Sequence, residues 1–74
     1  MGTHEFTVVI DHELSAVELR ALLEEGCQDT APVLRDGRTA VYFHRAAPTL
    51  AEALTCALGS VGRAGLRVIA VHNE

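Results

Sequence analysis

The dipeptide Asp36-Gly37 lies between two runs of β-prone residues, in the segment VLRDGRTAVYF. A two-residue hairpin turn of type I′ needs a positive backbone φ angle at both central positions, and Asp-Gly adopts such angles readily. We therefore predict that residues 32–36 and 39–44 pair as antiparallel strands. The whole chain has 74 residues, so this hairpin belongs to a single domain that spans residues 1–74.

The segment before the hairpin has the pattern of an amphipathic helix. Ser15 with Glu18 has the spacing of a capping box, and the strong helix formers ELRALLEE follow. Gly26 is placed to end this helix in a left-handed conformation. The predicted inward stripe consists of Leu19, Leu22 and Leu23.

The segment after the hairpin repeats this arrangement. Pro48 prevents the third strand from continuing, and Thr49 with Glu52 again has the capping-box spacing. These residues predict a helix over residues 50–63, which Gly65 ends. Apolar residues recur at helical spacing at Leu50, Leu54, Ala57, Leu58 and Val61.

Two further strands complete the chain. The segment EFTVVI, residues 5–10, places Phe6, Val8 and Ile10 on one face, and LRVIAVH, residues 66–72, is rich in β-branched residues. The resulting order, β-α-β-β-α-β, predicts an α+β fold of the ferredoxin-like, split βαβ type. Right-handed crossovers give an antiparallel sheet of order 4-1-3-2, with both helices on one face of a two-layer sandwich.

The stretch FHRAAPTLAEALTCALGSVGRAGLRVIAV and the earlier EEGCQD resemble a group of small bacterial single-domain proteins of unassigned function. In that group a strand ending in a pattern like F-D-R-E-A leads into S-L-x-E-A-I, and E-A-G-C-x-D closes the first helix. The resemblance covers roughly residues 5–72 and implies a compact ferredoxin-like domain. His44 and Ala46 stand where the group has acidic residues, whereas Arg45 is retained.

Composition narrows the classes of function. The formal net charge is −4 and there is no lysine, so a nucleic-acid-binding surface is disfavoured. The sequence shows neither a signal peptide nor a membrane-spanning apolar run, which predicts a cytoplasmic protein. Cys27 and Cys56 are predicted to be free thiols. No nucleophile is paired with a base, so we expect no catalytic residues, no cofactor and no enzymatic activity.

Three histidines are predicted to meet at one edge of the sheet. The start of strand 1 lies beside the ends of strands 3 and 4, which brings His4, His44 and His72 together at that edge. Three imidazoles would form a zinc-type ligand set. Solvated or capping histidines are the alternative interpretation, because a slip of one residue moves a side chain to the other face.

Arg45 and Thr49 form a second candidate site. Arg45 precedes the second helix, whose free N–H groups attract anions, so the two residues could hold a carboxylate or a phosphate. The alternative is that Thr49 and Glu52 only cap the helix.

The uncovered face of the sheet gives the leading hypothesis. Each strand keeps apolar side chains on both faces, so the face without helices would expose apolar surface. We predict an interface there, or at an edge strand, used for self-association or for docking another protein. An ACT-like domain that binds small ligands is the alternative, although the Asp-Arg-Pro-Gly-like loop of that family is absent. A metal carrier of the heavy-metal-associated type would need the C-x-x-C that this chain lacks. The predicted interface residues are Thr7, Val9, Tyr42, Ile69 and Val71.

Overall fold

A computed structural model describes residues 2–26 and 30–73 of the chain. Residues 27–29, which include Cys27 and half of the predicted loop after the first helix, lie outside the described residues. The elements are β1 (Gly2–Ile10), α1 (Ala16–Glu24), β2 (Thr30–Arg35), β3 (Arg38–Ala47), α2 (Leu50–Arg63) and β4 (Val68–Asn73).

The predicted hairpin is confirmed. Asp36 and Gly37 have φ angles of 51° and 77°, and Arg35 pairs with Arg38 across the turn. Strand β3 is longer than predicted and runs to Ala47, because β1 begins at Gly2 and pairs with β3 along its whole length, from Ile10–Thr39 to Gly2–Ala47. His44 and Arg45 still belong to β3, and the chain turns into α2 only at Pro48 and Thr49.

The four strands form one antiparallel sheet of order β2-β3-β1-β4. This is the predicted order read from the opposite edge, and the βαββαβ succession is that of a ferredoxin-like domain. Strand β2 is an edge strand, which explains why it contains Pro32, since a residue without an N–H is tolerated where a strand has only one neighbour.

The core lies on one face of the sheet. Alternate residues of β1, Phe6, Val8 and Ile10, are fully buried together with Val41 and Phe43 of β3. The rings of Phe6 and Phe43 are cross-strand partners and stack with their centroids 5.2 Å apart. Residues of both helices belong to the same buried cluster, so this face is covered and the other is not.

The predicted helix stripes are confirmed except at one leucine in each helix, since Leu19, Leu50 and Leu54 pack against the buried cluster. Leu22 of α1 is buried, but Leu23 is 49% exposed. In α2 the buried positions are Ala53, Ala57, Ser60 and Val61, whereas Leu58 is exposed. The two buried alanines have short side chains, so α2 can lie close to the sheet while its leucines flank the contact.

The turn between β1 and α1 is fixed to the hairpin by one buried hydroxyl. Thr39 Oγ1 accepts a hydrogen bond from the Leu14 amide at 2.9 Å and donates one to the His12 carbonyl at 2.8 Å. Glu13 Oε2 accepts the Gly37 amide at 3.0 Å. Ser15 then caps α1 with Glu18 in the predicted capping box, so the start of α1 depends on the start of β3.

Candidate interaction surface

The face of the sheet opposite the helices, called the open face below, is described by the alternation of side chains along each strand. Residues paired directly across two strands lie on the same face, so the pairing assigns every strand position except those at the bulge in β4. The open face consists of Thr3, Glu5, Thr7 and Val9 of β1, Ala31, Val33 and Arg35 of β2, Arg38, Ala40, Tyr42, His44 and Ala46 of β3, and Ala70 and His72 of β4.

An apolar row crosses the whole open face. Val33, Ala40, Val9 and Ala70 are paired in succession from β2 to β4, so one side chain from each strand contributes to the row. Val33 is 52% exposed, and the other three are half-buried. The row is therefore a smooth apolar strip accessible to a partner.

The neighbouring row is more polar. Ala31, Tyr42, Thr7 and His72 are paired in the same succession. Tyr42 has an aromatic body and a polar hydroxyl, a combination that is enriched in protein interfaces. The two rows together give the open face a weakly polar centre that holds no Asp, Glu, Lys or Arg.

The two ends of the open face carry opposite charge. Arg35 and Arg38 are direct cross-strand partners at the hairpin end and, with Asp36, Val9 and Ala40, line a shallow concavity of about 430 Å³. Glu5 lies at the other end, opposite His44. The open face is thus basic at one end, apolar in the middle and acidic at the other end.

Three of the five predicted interface residues, Thr7, Val9 and Tyr42, lie on the open face. The prediction placed Ile69 and Val71 there as well, and the structure differs. Val71 pairs with Val8, which is a core residue, so Val71 lies at the outer rim of the helix-covered side. The cause is the register of β4 on β1, which pairs Val9 with Ala70 and Thr7 with His72; beyond Ala70 the strand is irregular, and Ile69 is passed over because Ile10 pairs with Val68. Both side chains are exposed, and Ala70 and His72 take the open-face positions.

The predicted zinc-type set does not assemble. His4 lies on the helix-covered side, where its Nε2 is 3.1 Å from the carbonyl oxygen of Ala47. His44 and His72 lie on the open face, with β1 between their strands. Within residues 2–26 and 30–73, the structure holds no group of three His, Cys, Asp or Glu side chains suited to a metal ion.

The predicted anion site at Arg45 and Thr49 does not assemble either. Thr49 Oγ1 accepts the Glu52 amide at 3.2 Å and so caps α2 itself. The Arg45 guanidinium lies beside the middle of α2, where it donates to Cys56 Sγ at 3.3 Å and to the Gly26 carbonyl at 3.4 Å. It also covers the Phe43 ring at 5.3 Å. Arg45 therefore ties the end of α1 to α2 and the sheet.

A polar cluster in the turn before α1 was not predicted. His12 lies between two carboxylates, with Nδ1 2.7 Å from Asp11 Oδ1 and Nε2 2.6 Å from Glu18 Oε2. These hydrogen bonds to Asp11 and Glu18 raise the pKa of His12. The Ser15 amide, followed by His12, lowers the pKa of Glu18. One sequence signal could have revealed this cluster. His12 stands six residues before Glu18, the carboxylate of the capping box, and this spacing places the two side chains together.

No family model matches this chain, and neither the curated proteins nor the solved structures contain a match to it. The resemblance to small bacterial proteins therefore stays a prediction. Across the described residues, no helix combines the length and the apolar character that crossing a membrane requires.

Proposed function

We propose that the protein is a non-enzymatic interaction module of the cytoplasm that associates with a second copy of itself through the open face. The observation that carries the proposal is the unbroken apolar row of Val33, Ala40, Val9 and Ala70, which has no helix over it. Burying such a row is favourable because apolar surface leaves water. Small domains often need this additional burial, since their own cores are limited.

The size of the open face suits a weak dimer. Four strands spaced by about 4.8 Å, over about seven residues of about 3.4 Å, give a face of about 450 Å² per copy. A pair of copies would bury about 900 Å² if each face is treated as flat. Projecting side chains add to this area, which is just below the roughly 1,000 Å² of a specific interface. Two sheets pack face to face at a separation of about 10 Å, as in β-sandwiches.

The charge pattern supports a protein partner over a nucleic acid. The chain has a net charge of −4, and on the open face the arginines are confined to one end while Glu5 occupies the other. A phosphate backbone would need cations along the whole groove that it follows. A surface with separate basic and acidic ends is instead complementary to a reversed copy of itself.

The test compares three proteins by size-exclusion chromatography with light scattering. The wild type is expected to have about twice the chain mass of 7.9 kDa. Val9→Glu introduces a carboxylate at the centre of the apolar row, so the dimer should weaken by at least about 100-fold and the mass should fall to that of one chain. Val17→Glu is the matched control, because Val17 is 78% exposed on α1 and should leave the dimer intact.

Two results would contradict the proposal. A wild type that has the mass of one chain at every concentration would remove self-association altogether. A Val9→Glu protein that is folded and dimeric like the wild type would show that association uses another surface.

A further inference from the structure

The pair Arg35 and Arg38 is an electrostatic conflict within a single chain. The two residues are direct cross-strand partners on the same face, and like charges in that arrangement are destabilising. Within the described part of the chain, neither guanidinium makes a hydrogen bond or an ion pair. Asp36 shares their concavity without bonding to either of them, so the two arginines keep their repulsion.

Glu5 is the complementary group at the other end of the open face. It is exposed, it faces the same side as Arg38, and in the described structure it too has no bonded partner. Two rows separate the ends: Arg38 is followed along β3 by Ala40 and Tyr42, and the next open-face residue is His44, the partner of Glu5. The charges are too far apart to pair within one chain, so they are available between chains.

When the strands of the two packed sheets are aligned, a two-fold axis between two open faces can run in two directions. If the axis runs parallel to the strands, the basic ends of the two copies lie over each other and the arginines repel. If the axis runs across the strands, between the apolar row and the Tyr42 row, the basic end of each copy lies over the acidic end of the other. Only the second arrangement brings unlike charges together, and it does so twice.

We propose that Arg38 fixes this second orientation by receiving the Glu5 carboxylate of the other copy. The inference rests on the proposed dimer and adds its geometry. With the axis across the strands, β3 of one copy lies over β3 of the other, so Arg38 is offset from the partner copy's β1 by one strand spacing, about 5 Å. Arginine and glutamate side chains together are long enough to close the gap between the sheets. Each ion pair also offsets the conflict between the paired arginines.

A charge-exchange experiment tests the orientation. The dimer dissociation constant is measured by sedimentation for the wild type, Arg38→Glu, Glu5→Arg and the double variant, at low salt. Each single reversal should weaken the dimer by about tenfold, because it creates like-charge contacts at both symmetry-related sites. The double variant restores unlike charges and should return to within about threefold of the wild type. High salt should shrink all of these differences, since exposed charges are screened.

Arg20→Glu is the control, because it makes the same change in charge on the exposed surface of α1 and should not change the dissociation constant. Circular dichroism of every variant shows that it is folded. A dimer that Arg38→Glu strengthens, or one that the double variant does not restore, would overturn the proposed orientation while leaving the dimer itself established. A wild type that is monomeric would overturn both the orientation and the proposed function.

Discussion

Replacing Thr39 with valine removes one oxygen atom from the molecule and tests how the turn before α1 is held. Thr39 is fully buried, and its hydroxyl bonds both the Leu14 amide and the His12 carbonyl. Valine has nearly the same shape and an equal or better preference for strands. Any loss of stability in Thr39→Val therefore comes from the two backbone groups that lose their partner.

The magnitude follows from the burial of those two groups. Leu14 is 4% exposed, so its amide stays away from water and should cost about 1–3 kcal/mol when it is left without an acceptor. The His12 carbonyl is nearer to solvent and should cost less. We expect Thr39→Val to lower the free energy of unfolding by about 2–4 kcal/mol. That is a large fraction of the roughly 4–11 kcal/mol that a domain of this length has in total.

Thr39→Ser is the matched control. It keeps the hydroxyl and removes one buried methyl group, which should cost about 1 kcal/mol. The stability should therefore fall in the order wild type, Thr39→Ser, Thr39→Val, although valine is the more hydrophobic substitution. Urea denaturation at one fixed protein concentration measures this order, because the stability of a protein that self-associates depends on concentration.

A melting experiment checks the same order, since each 1 kcal/mol should shift the melting temperature by about 4–8 °C in a domain of this size. If Thr39→Val is as stable as the wild type, or more stable than Thr39→Ser, the hydroxyl does not hold the turn and the reasoning is refuted.

Three further predictions concern the turns and the helix caps. The pKa of His12 is raised, so the stability that its protonated form contributes is fully present below about pH 6.5 and is lost as the pH rises through the raised value. The lowered pKa of Glu18 gives a contribution that is present above about pH 4.5 and is lost as the pH falls through the lowered value. The melting temperature should therefore be higher near pH 6 than near pH 9, and His12→Asn should reduce this difference; an unchanged pH profile in His12→Asn would contradict the assignment. Gly37 has a φ of 77°, so Gly37→Ala should lose about 1 kcal/mol in urea denaturation. Gly62→Ala in α2, which meets no atom within 4 Å, should instead gain about 0.5 kcal/mol, and equal effects at the two glycines would refute the argument from φ. Ser15→Ala should lose about 1 kcal/mol by the same assay because it removes the cap of α1, and no loss would show that the capping box is dispensable.

Local chemistry predicted the order of elements. Asp36-Gly37 determined the hairpin, Ser15 with Glu18 determined the start of α1, and Gly26 and Gly65 adopt the positive φ angles expected after the helices. Each of these features depends on a few neighbouring residues, and the sequence displays such residues directly. The sheet order followed from the succession of elements and from the handedness of the connections.

Features that depend on distant residues were predicted less well. The length of β3 depends on how far β1 extends to pair with it, which nothing near Ala47 reveals. The inward side of α2 is set by how closely the helix approaches the sheet, so Ala53 and Ser60 are buried while Leu58 is exposed.

The faces of the candidate site residues were also hard to predict. The register of β4 on β1 placed Ala70 and His72, not Ile69 and Val71, on the open face, and a single step of alternation placed His4 away from His44 and His72. Successive side chains of a strand point to opposite faces of the sheet. An error of one residue in the register therefore moves every later side chain of that strand to the wrong face.

The coverage of the open face can be measured directly by nuclear magnetic resonance with a soluble paramagnetic agent, which weakens the signals of methyl groups that it can approach. If two copies cover each other's open faces, the methyl signals of Val9, Ala40 and Ala70 should be protected at high protein concentration and should weaken on dilution. Those of Val17, which is exposed on α1, should be weakened at every concentration. Methyl groups of Val9 and Ala40 whose attenuation does not change with dilution would show that no second copy covers this face.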